Sequence, residues 1–124
     1  MKIAFLTLGC KLNYAETSTY ERDFKKAGLE VIPHQERADI YLINTCSVTS
    51  TADAKSRNLI RKMHRQNPSA RIVVCGCSAQ LRKEDIYEIK GVWKVFGCKE
   101  KSIIVSQCLQ DLGIIQKEST LDHS

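Results

Sequence analysis

Three cysteines that follow three short apolar runs are the feature that most limits how this chain can fold. The cysteines are Cys10, Cys46 and Cys77, and the runs before them cover residues 2–8, 40–43 and 72–75. Each run has the Ile, Val, Leu and Phe content of a buried strand, and a loop and a helical pattern follow it. In an open parallel sheet, the loops at the carboxyl ends of the strands gather at one edge. We therefore expect the three thiols to converge there, and soft thiolates select zinc, copper(I) or iron-sulfur clusters.

Predicted strands alternate with predicted helices along most of the chain, with a loop between the second and third strands. The strands cover 2–8, 29–32, 40–43, 72–75 and 92–96, and the helices cover 13–27, from 50 or 51 to before Pro68, 80–90 and 102–112. This alternation predicts an α/β fold, a flavodoxin-like doubly wound parallel five-stranded sheet in a three-layer α/β/α arrangement with strand order 2-1-3-4-5. The order places the three cysteine-bearing strands side by side, across about 10 Å of sheet edge, which is room for a small metal cluster.

The first helix has a predicted start, end and buried face. Asn13 precedes Glu16 by three residues, as in a reciprocal N-cap, and Gly28 is the expected C-terminal stop. The inward face is predicted to consist of Tyr14, Thr17, Phe24 and Ala27.

Length and composition predict one compact domain over residues 1–113, with a frayed tail over 114–124. The net charge of +5 is compatible with a polyanionic partner without requiring one. The N-terminal apolar run is too short for a signal sequence, and no stretch approaches the roughly 18 apolar residues of a membrane helix. We therefore expect a cytoplasmic protein with no membrane partner. In that compartment six cysteines favour metal binding or thiol chemistry over a disulfide framework.

The other cysteines have different predicted roles. Cys75 lies inside an apolar run, so we expect it in the core, and Cys108 lies on the apolar side of the last helix. Cys98 follows the fifth strand and is a further candidate at the same edge. An alternative for Cys10, Cys46 and Cys77 themselves is that they are small buried hydrophobic residues without a ligand.

The helix after Cys46 is strongly basic over residues 52–66. Arg57, Arg61 and Arg65 recur at every fourth position and so share one helix face. Either this face is simply solvated, or it is a contact surface for phosphates.

The residues around the three cysteines resemble a known family. Thr-Leu-Gly-Cys-Lys-Leu-Asn at 7–13 with Glu16-Thr17, Asn-Thr-Cys-Ser-Val-Thr at 44–49, and Gly-Cys-Ser-Ala-Gln at 76–80 resemble the signature segments of the N-terminal domain of the radical S-adenosylmethionine methylthiotransferases. The first segment is most similar to the branch that methylthiolates threonylcarbamoyladenosine beside the transfer RNA anticodon. The resemblance implies that Cys10, Cys46 and Cys77 ligate an auxiliary [4Fe-4S] cluster with one open iron.

The resemblance also implies parts that this sequence lacks. The family's central domain holds a second [4Fe-4S] cluster and S-adenosylmethionine on a Cys-x-x-x-Cys-x-x-Cys run, and no such run occurs here. No sequence corresponds to the family's C-terminal RNA-binding domain either. We therefore expect a fragment that is inactive alone, whose partners are the radical S-adenosylmethionine domain and, in the whole enzyme, tRNA. Two alternatives remain: a zinc-binding module with Cys98 or water as fourth ligand, and a dithiol redox domain that uses Cys75 and Cys77.

Overall fold

The computed structural model describes residues 1–8, 11–45, 50–76, 83–97 and 103–113, and at 11–13 and 50–53 it describes the backbone only. The described residues form nine elements in chain order. They are β1 (Lys2–Thr7), α1 (Lys11–Lys26), β2 (Glu30–Ile32), β3 (Ile40–Thr45), α2 (Ser50–Gln66), β4 (Arg71–Gly76), α3 (Lys83–Tyr87), β5 (Val92–Phe96) and α4 (Ile104–Asp111). The expected tail over 114–124 lies outside the described residues.

The five strands form one parallel sheet in the order β2-β1-β3-β4-β5, which confirms the predicted topology. All six residues of β3 are buried, as expected for a central parallel strand covered on both faces. Because β1, β3 and β4 are neighbours, the three strands that precede the predicted ligands end side by side.

Side chains that alternate along the strands form two separate cores, one on each face of the sheet. On one face Ile60 and Met63 of α2 and Ile86 of α3 pack against the strands. On the other face the packing residues come from α1 and α4, among them Phe24 and Leu109. The sheet therefore lies between two helical layers, which confirms the predicted three-layer architecture.

The predicted start and inward face of α1 were partly wrong. The helix begins at Lys11, so Asn13 lies inside its first turn and is not the N-cap. Lys and Leu are good helix formers, which is why residues 11 and 12 extend the helix upstream. Tyr14 is 58% exposed, whereas Thr17, Phe24 and the unpredicted Tyr20 are buried. The hydroxyl of Thr17 lies 2.8 Å from that of Thr7, at the end of β1. Tyr14 is one helical turn before Thr17 and therefore extends past the end of the sheet, which explains its exposure.

The helix predicted over 80–90 ends earlier than expected. Its described part ends at Tyr87, and Ile89 and Val92 then donate to the carbonyls of Ile86 and Ile89 in tight turns. Gly91 has a φ of 99° in the turn that enters β5. Within the described residues no helix has both the length and the apolar content needed to cross a bilayer.

Candidate functional site

The carboxyl ends of β1, β3, β4 and β5 lie in register at one edge of the sheet. Thr7 pairs with Asn44, Asn44 with Cys75, and Cys75 with Phe96, so these residues form one row across four strands. One position further on, Thr45 pairs with Gly76. We call this side of the sheet the carboxyl edge.

The predicted ligands Cys10, Cys46 and Cys77, like the candidate Cys98, lie outside the described residues. The structure nevertheless describes residues that shortly precede each of Cys10, Cys46 and Cys77. Cys46 follows Thr45 directly and Cys77 follows Gly76 directly. Leu8, two residues before Cys10, donates its backbone N–H to the carbonyl of Asn44 at 2.9 Å. The three chain segments therefore depart from one place, while the positions of the sulfur atoms stay a prediction.

A network of polar side chains holds the carboxyl edge together from within. The hydroxyls of Thr7 and Thr17 are hydrogen-bonded at 2.8 Å, and the amide of Asn44 donates to the Thr17 hydroxyl at 3.3 Å. Thr17 is 5% exposed and Asn44 1% exposed. Buried polar groups are costly unless they are hydrogen-bonded, so this network fixes α1 against the ends of β1 and β3.

The junction of β3 and β4 at the carboxyl edge is unusually close. The hydroxyl of Thr45 donates to the carbonyl of Cys75 at 2.8 Å. Gly76 has a φ of 105°, and a Cβ at this position would lie 2.2 Å from the Thr45 carbonyl oxygen. Only glycine fits both the backbone conformation and the space. Thr45 and Gly76, which precede Cys46 and Cys77, are therefore in close backbone contact.

An open cavity of about 450 Å³ borders the start of α1 at this edge. Its lining includes Thr7, Leu8, Tyr14 and Thr17. The exposed ring of Tyr14 therefore borders the same region as the chain that leads to Cys10. Sequence reasoning missed this role, because it placed Tyr14 in the core.

The two described cysteines are core residues, as predicted. Cys75 and Cys108 are 1% and 0% exposed and pack in the same hydrophobic core. Burial raises the pKa of the Cys108 thiol to about 12; Lys94 opposes the rise and Asp111 adds to it. Burial also makes Cys75 unsuited to a dithiol redox pair, which needs an accessible thiol of lowered pKa.

Among the residues that the structure describes, no three His, Cys, Asp or Glu side chains cluster so as to hold a metal ion. Three such ligands would therefore have to include at least one from the undescribed segments 9–10, 46–49, 77–82, 98–102 and 114–124 or from the undescribed side chains at 11–13 and 50–53. The sequence supplies Cys10, Cys46, Cys77 and Cys98 in these segments.

Several residues of this site were not found from the sequence. The Thr7, Thr17 and Asn44 network joins side chains up to 37 positions apart along the chain. The close approach at Gly76 depends on the pairing of two strands. The sequence signals were that Thr7, Thr17, Asn44 and Gly76 all belong to the segments that suggested the family, and that Thr17 lay on the predicted inward face of α1.

Comparison with known proteins gives the family of the chain. Residues 2–97 match the family described as "Uncharacterized protein family UPF0004". Threonylcarbamoyladenosine tRNA methylthiotransferase MtaB from Bacillus subtilis (strain 168) is 48% identical over 99 residues, which are 80% of this chain and 22% of that protein. The protein of the same name from Aquifex aeolicus (strain VF5) is 41% identical over 102 residues, 82% of this chain and 25% of that protein.

A relative whose name gives a different substrate matches more weakly. Ribosomal protein uS12 methylthiotransferase RimO from Caldicellulosiruptor saccharolyticus is 33% identical over 103 residues, 81% of this chain and 23% of that protein. The chain thus spans about a quarter of the length of these curated relatives. The matches confirm the resemblance to methylthiotransferases that the three cysteine segments indicated. The chain belongs to the UPF0004 family, in a region that it shares with methylthiotransferases of both kinds.

Proposed function

We propose that this chain is the N-terminal domain of a tRNA methylthiotransferase and that Cys10, Cys46 and Cys77 hold an auxiliary [4Fe-4S] cluster. The parent enzyme would add a methylthio group to carbon 2 of N6-threonylcarbamoyladenosine beside the anticodon. The names of the Bacillus and Aquifex relatives, which are more similar to this chain than the RimO protein, support this substrate over a ribosomal protein.

The observation that carries the proposal is the register of the strand ends at the carboxyl edge. Thr45 and Gly76, which precede two of the proposed ligands, are paired on neighbouring strands. The backbone of Leu8, near the third ligand, is bonded to the same part of β3. Neighbouring strands lie about 4.8 Å apart, so ligands that follow these strand ends directly are within reach of a common cluster. The donor set also fits, because cysteine thiolates are the usual ligands of iron-sulfur clusters.

Thr17 and Gly76 would contribute by holding the strand ends in position before a cluster binds. The hydroxyl of Thr17 holds α1 on the ends of β1 and β3, and Gly76 lets β3 and β4 approach closely. Together they would fix the starting points of the three loops before any metal binds. When bound, a cluster with only three protein ligands offers one open iron position, which is suited to the sulfur that is to be methylated and inserted.

The rest of the reaction is assigned to the part of the parent enzyme that this chain does not include. We propose that S-adenosylmethionine and the second [4Fe-4S] cluster bind a central radical domain there, and that this domain covers the carboxyl edge as an intramolecular partner. The short span of the chain relative to its relatives supports this division. Turnover by this chain alone would contradict it.

Anaerobic reconstitution with iron and sulfide tests the proposal. We expect about four irons per chain and a broad visible absorption, both lost in Cys10→Ala, Cys46→Ala and Cys77→Ala. Cys108→Ala is the matched control, because its thiol is fully buried in the hydrophobic core and is not a proposed ligand, and it should keep the cluster. Melting curves of the unreconstituted variants separate loss of ligand from loss of fold. Tight binding of zinc with no iron or sulfide uptake would instead support a zinc module.

A further inference from the structure

We propose that the groove between α2 and α3 binds phosphate groups of an RNA backbone. We name it the arginine groove, and its lining includes Arg57, Arg61, Arg65 and Lys90. The inference rests on the proposed function in one respect, which is that RNA is the polyanion the parent enzyme meets.

The geometry of α2 arranges its arginines as a regular row. Four residues of α-helix rise about 6 Å, so Arg57, Arg61 and Arg65 span about 12 Å along the helix axis. These steps are similar to the separation of successive phosphates along a nucleic-acid strand. A single row of guanidinium groups could therefore follow one stretch of backbone.

The shape of this surface argues against an ordinary solvated helix face. The arginines border a concave space of about 460 Å³ whose opposite wall comes from α3 and the turn after it. His64 of α2 packs against Gly91 in that turn, where a Cβ would lie 2.5 Å from the imidazole Nδ1. This contact joins α2 to the turn after α3, beside the groove.

The charges in the groove favour an anion. Four cationic side chains face two carboxylates, Asp85 and Glu88. Arg57 is oriented by Asp85, with 3.7 Å between the guanidinium and the carboxylate. Within the described part of the chain, Arg61, Arg65 and Lys90 form no ion pair. Arg61 and Arg65 are exposed, and the one long bond of 3.4 Å from Arg61 to the exposed Asn58 side chain leaves both guanidinium groups available for the bidentate contacts that arginine makes with phosphate.

The groove is placed so that RNA could occupy it and reach the carboxyl edge at the same time. The first residue of α2, Ser50, lies four residues after Cys46. From that start the helix rises about 10 Å to Arg57 and about 22 Å to Arg65. A nucleotide at the carboxyl edge would therefore be separated from the arginine row by only a few nucleotides of backbone.

The test is the binding of a fluorescently labelled RNA hairpin to the intact chain, measured by anisotropy from about 50 mM to about 200 mM salt. The variant is Arg61→Ala combined with Arg65→Ala. A phosphate contact has a salt slope of about −0.7 to −0.9 and so contributes on the order of tenfold to affinity at about 50 mM salt. We expect the double variant to lose at least about tenfold in affinity and its salt slope to fall by about 1.5.

The matched control is Lys25→Ala combined with Lys26→Ala. It removes the same charge from exposed positions at the end of α1, on the opposite face of the sheet. We expect this control to change the affinity by less than about threefold, since distant charges are screened. Arg61→Lys with Arg65→Lys should recover part of the affinity, because lysine contacts phosphate as a point charge.

Equal losses in the variant and the control would overturn the proposal, as would no loss in either. Competition by polyglutamate as effective as by RNA would also overturn it, since the groove would then suit an acidic protein. The iron content of the Arg61→Ala, Arg65→Ala variant after reconstitution tests cluster binding, and so the proposed function, independently of RNA binding. Full iron with weakened RNA binding is the expected combination, and full iron with unchanged RNA binding would refute the arginine groove alone.

Discussion

Replacement of Gly76 by alanine tests whether the close approach of β3 and β4 organises the carboxyl edge. The new Cβ would lie 2.2 Å from the backbone oxygen of Thr45 and 2.9 Å from its backbone nitrogen. Both are backbone atoms of a fully buried strand, so no side-chain rotation relieves the overlap. The strand ends must separate at the two residues that precede Cys46 and Cys77.

The expected cost has two parts. A non-glycine residue with positive φ costs roughly 1–2 kcal/mol. Overpacking against a rigid neighbour costs a further 1–3 kcal/mol or so. We therefore expect Gly76→Ala to lower the free energy of unfolding by about 2–5 kcal/mol, out of the roughly 5–15 kcal/mol typical of a domain.

Gly28→Ala is the control that separates the two parts. Gly28 has nearly the same φ, 100° against 105°, but no atom lies within 4 Å of the position that an alanine Cβ would take there. It should therefore show the conformational cost alone. Urea unfolding of both variants measures the difference, which we expect to be at least about 1 kcal/mol. The reasoning is refuted if the two variants have equal unfolding free energies, or if Gly76→Ala takes up iron as fully as the parent chain.

Three further predictions concern stability. Thr17→Val removes a buried hydroxyl that bonds across the carboxyl edge and should cost about 1–3 kcal/mol in urea unfolding, whereas Thr19→Val, exposed on the same helix, should cost almost nothing. Gln66→Ala removes an amide nitrogen that lies 2.7 to 3.0 Å from two carbonyl oxygens and a tyrosine hydroxyl, and the melting temperature of the variant should be several degrees lower. Folding raises the pKa of Cys108 from 9.0 to about 12, so above about pH 9 the thiol is deprotonated in the unfolded chain but still protonated in the folded chain. The free energy of unfolding should therefore fall as the pH rises above about 9, by up to about 1.4 kcal/mol per pH unit. Cys108→Ala should show a shallower decline over the same range, and an unchanged decline would contradict the assignment.

The architecture was predictable because its signals are local. Apolar runs marked the strands, and β5 has the predicted bounds, Val92–Phe96. The apolar run at 72–75 was enough to predict that Cys75 lies in the core. Strand order followed from the alternation of strands and helices together with general rules of topology.

The features that the sequence did not predict depend on how helices and strands are positioned relative to one another. The exposure of Tyr14 follows from the end of β1 near Thr17, which helical periodicity does not encode. The concavity beside α2 needs Asp85 and Glu88 from α3 and the turn after it, so a row of arginines alone could not distinguish a groove from a solvated face. The need for glycine at 76 likewise arises from the pairing of two strands.

The most direct test of the central claim is thiol alkylation of the reconstituted chain, read by mass spectrometry before and after removal of iron by a chelator. We predict that Cys10, Cys46 and Cys77 are protected only while the cluster is bound, and that Cys98 is labelled in both states. Cys75 and Cys108 are buried and should stay unlabelled in the folded chain throughout. Labelling of any of the three predicted ligands in the iron-loaded chain would contradict the account.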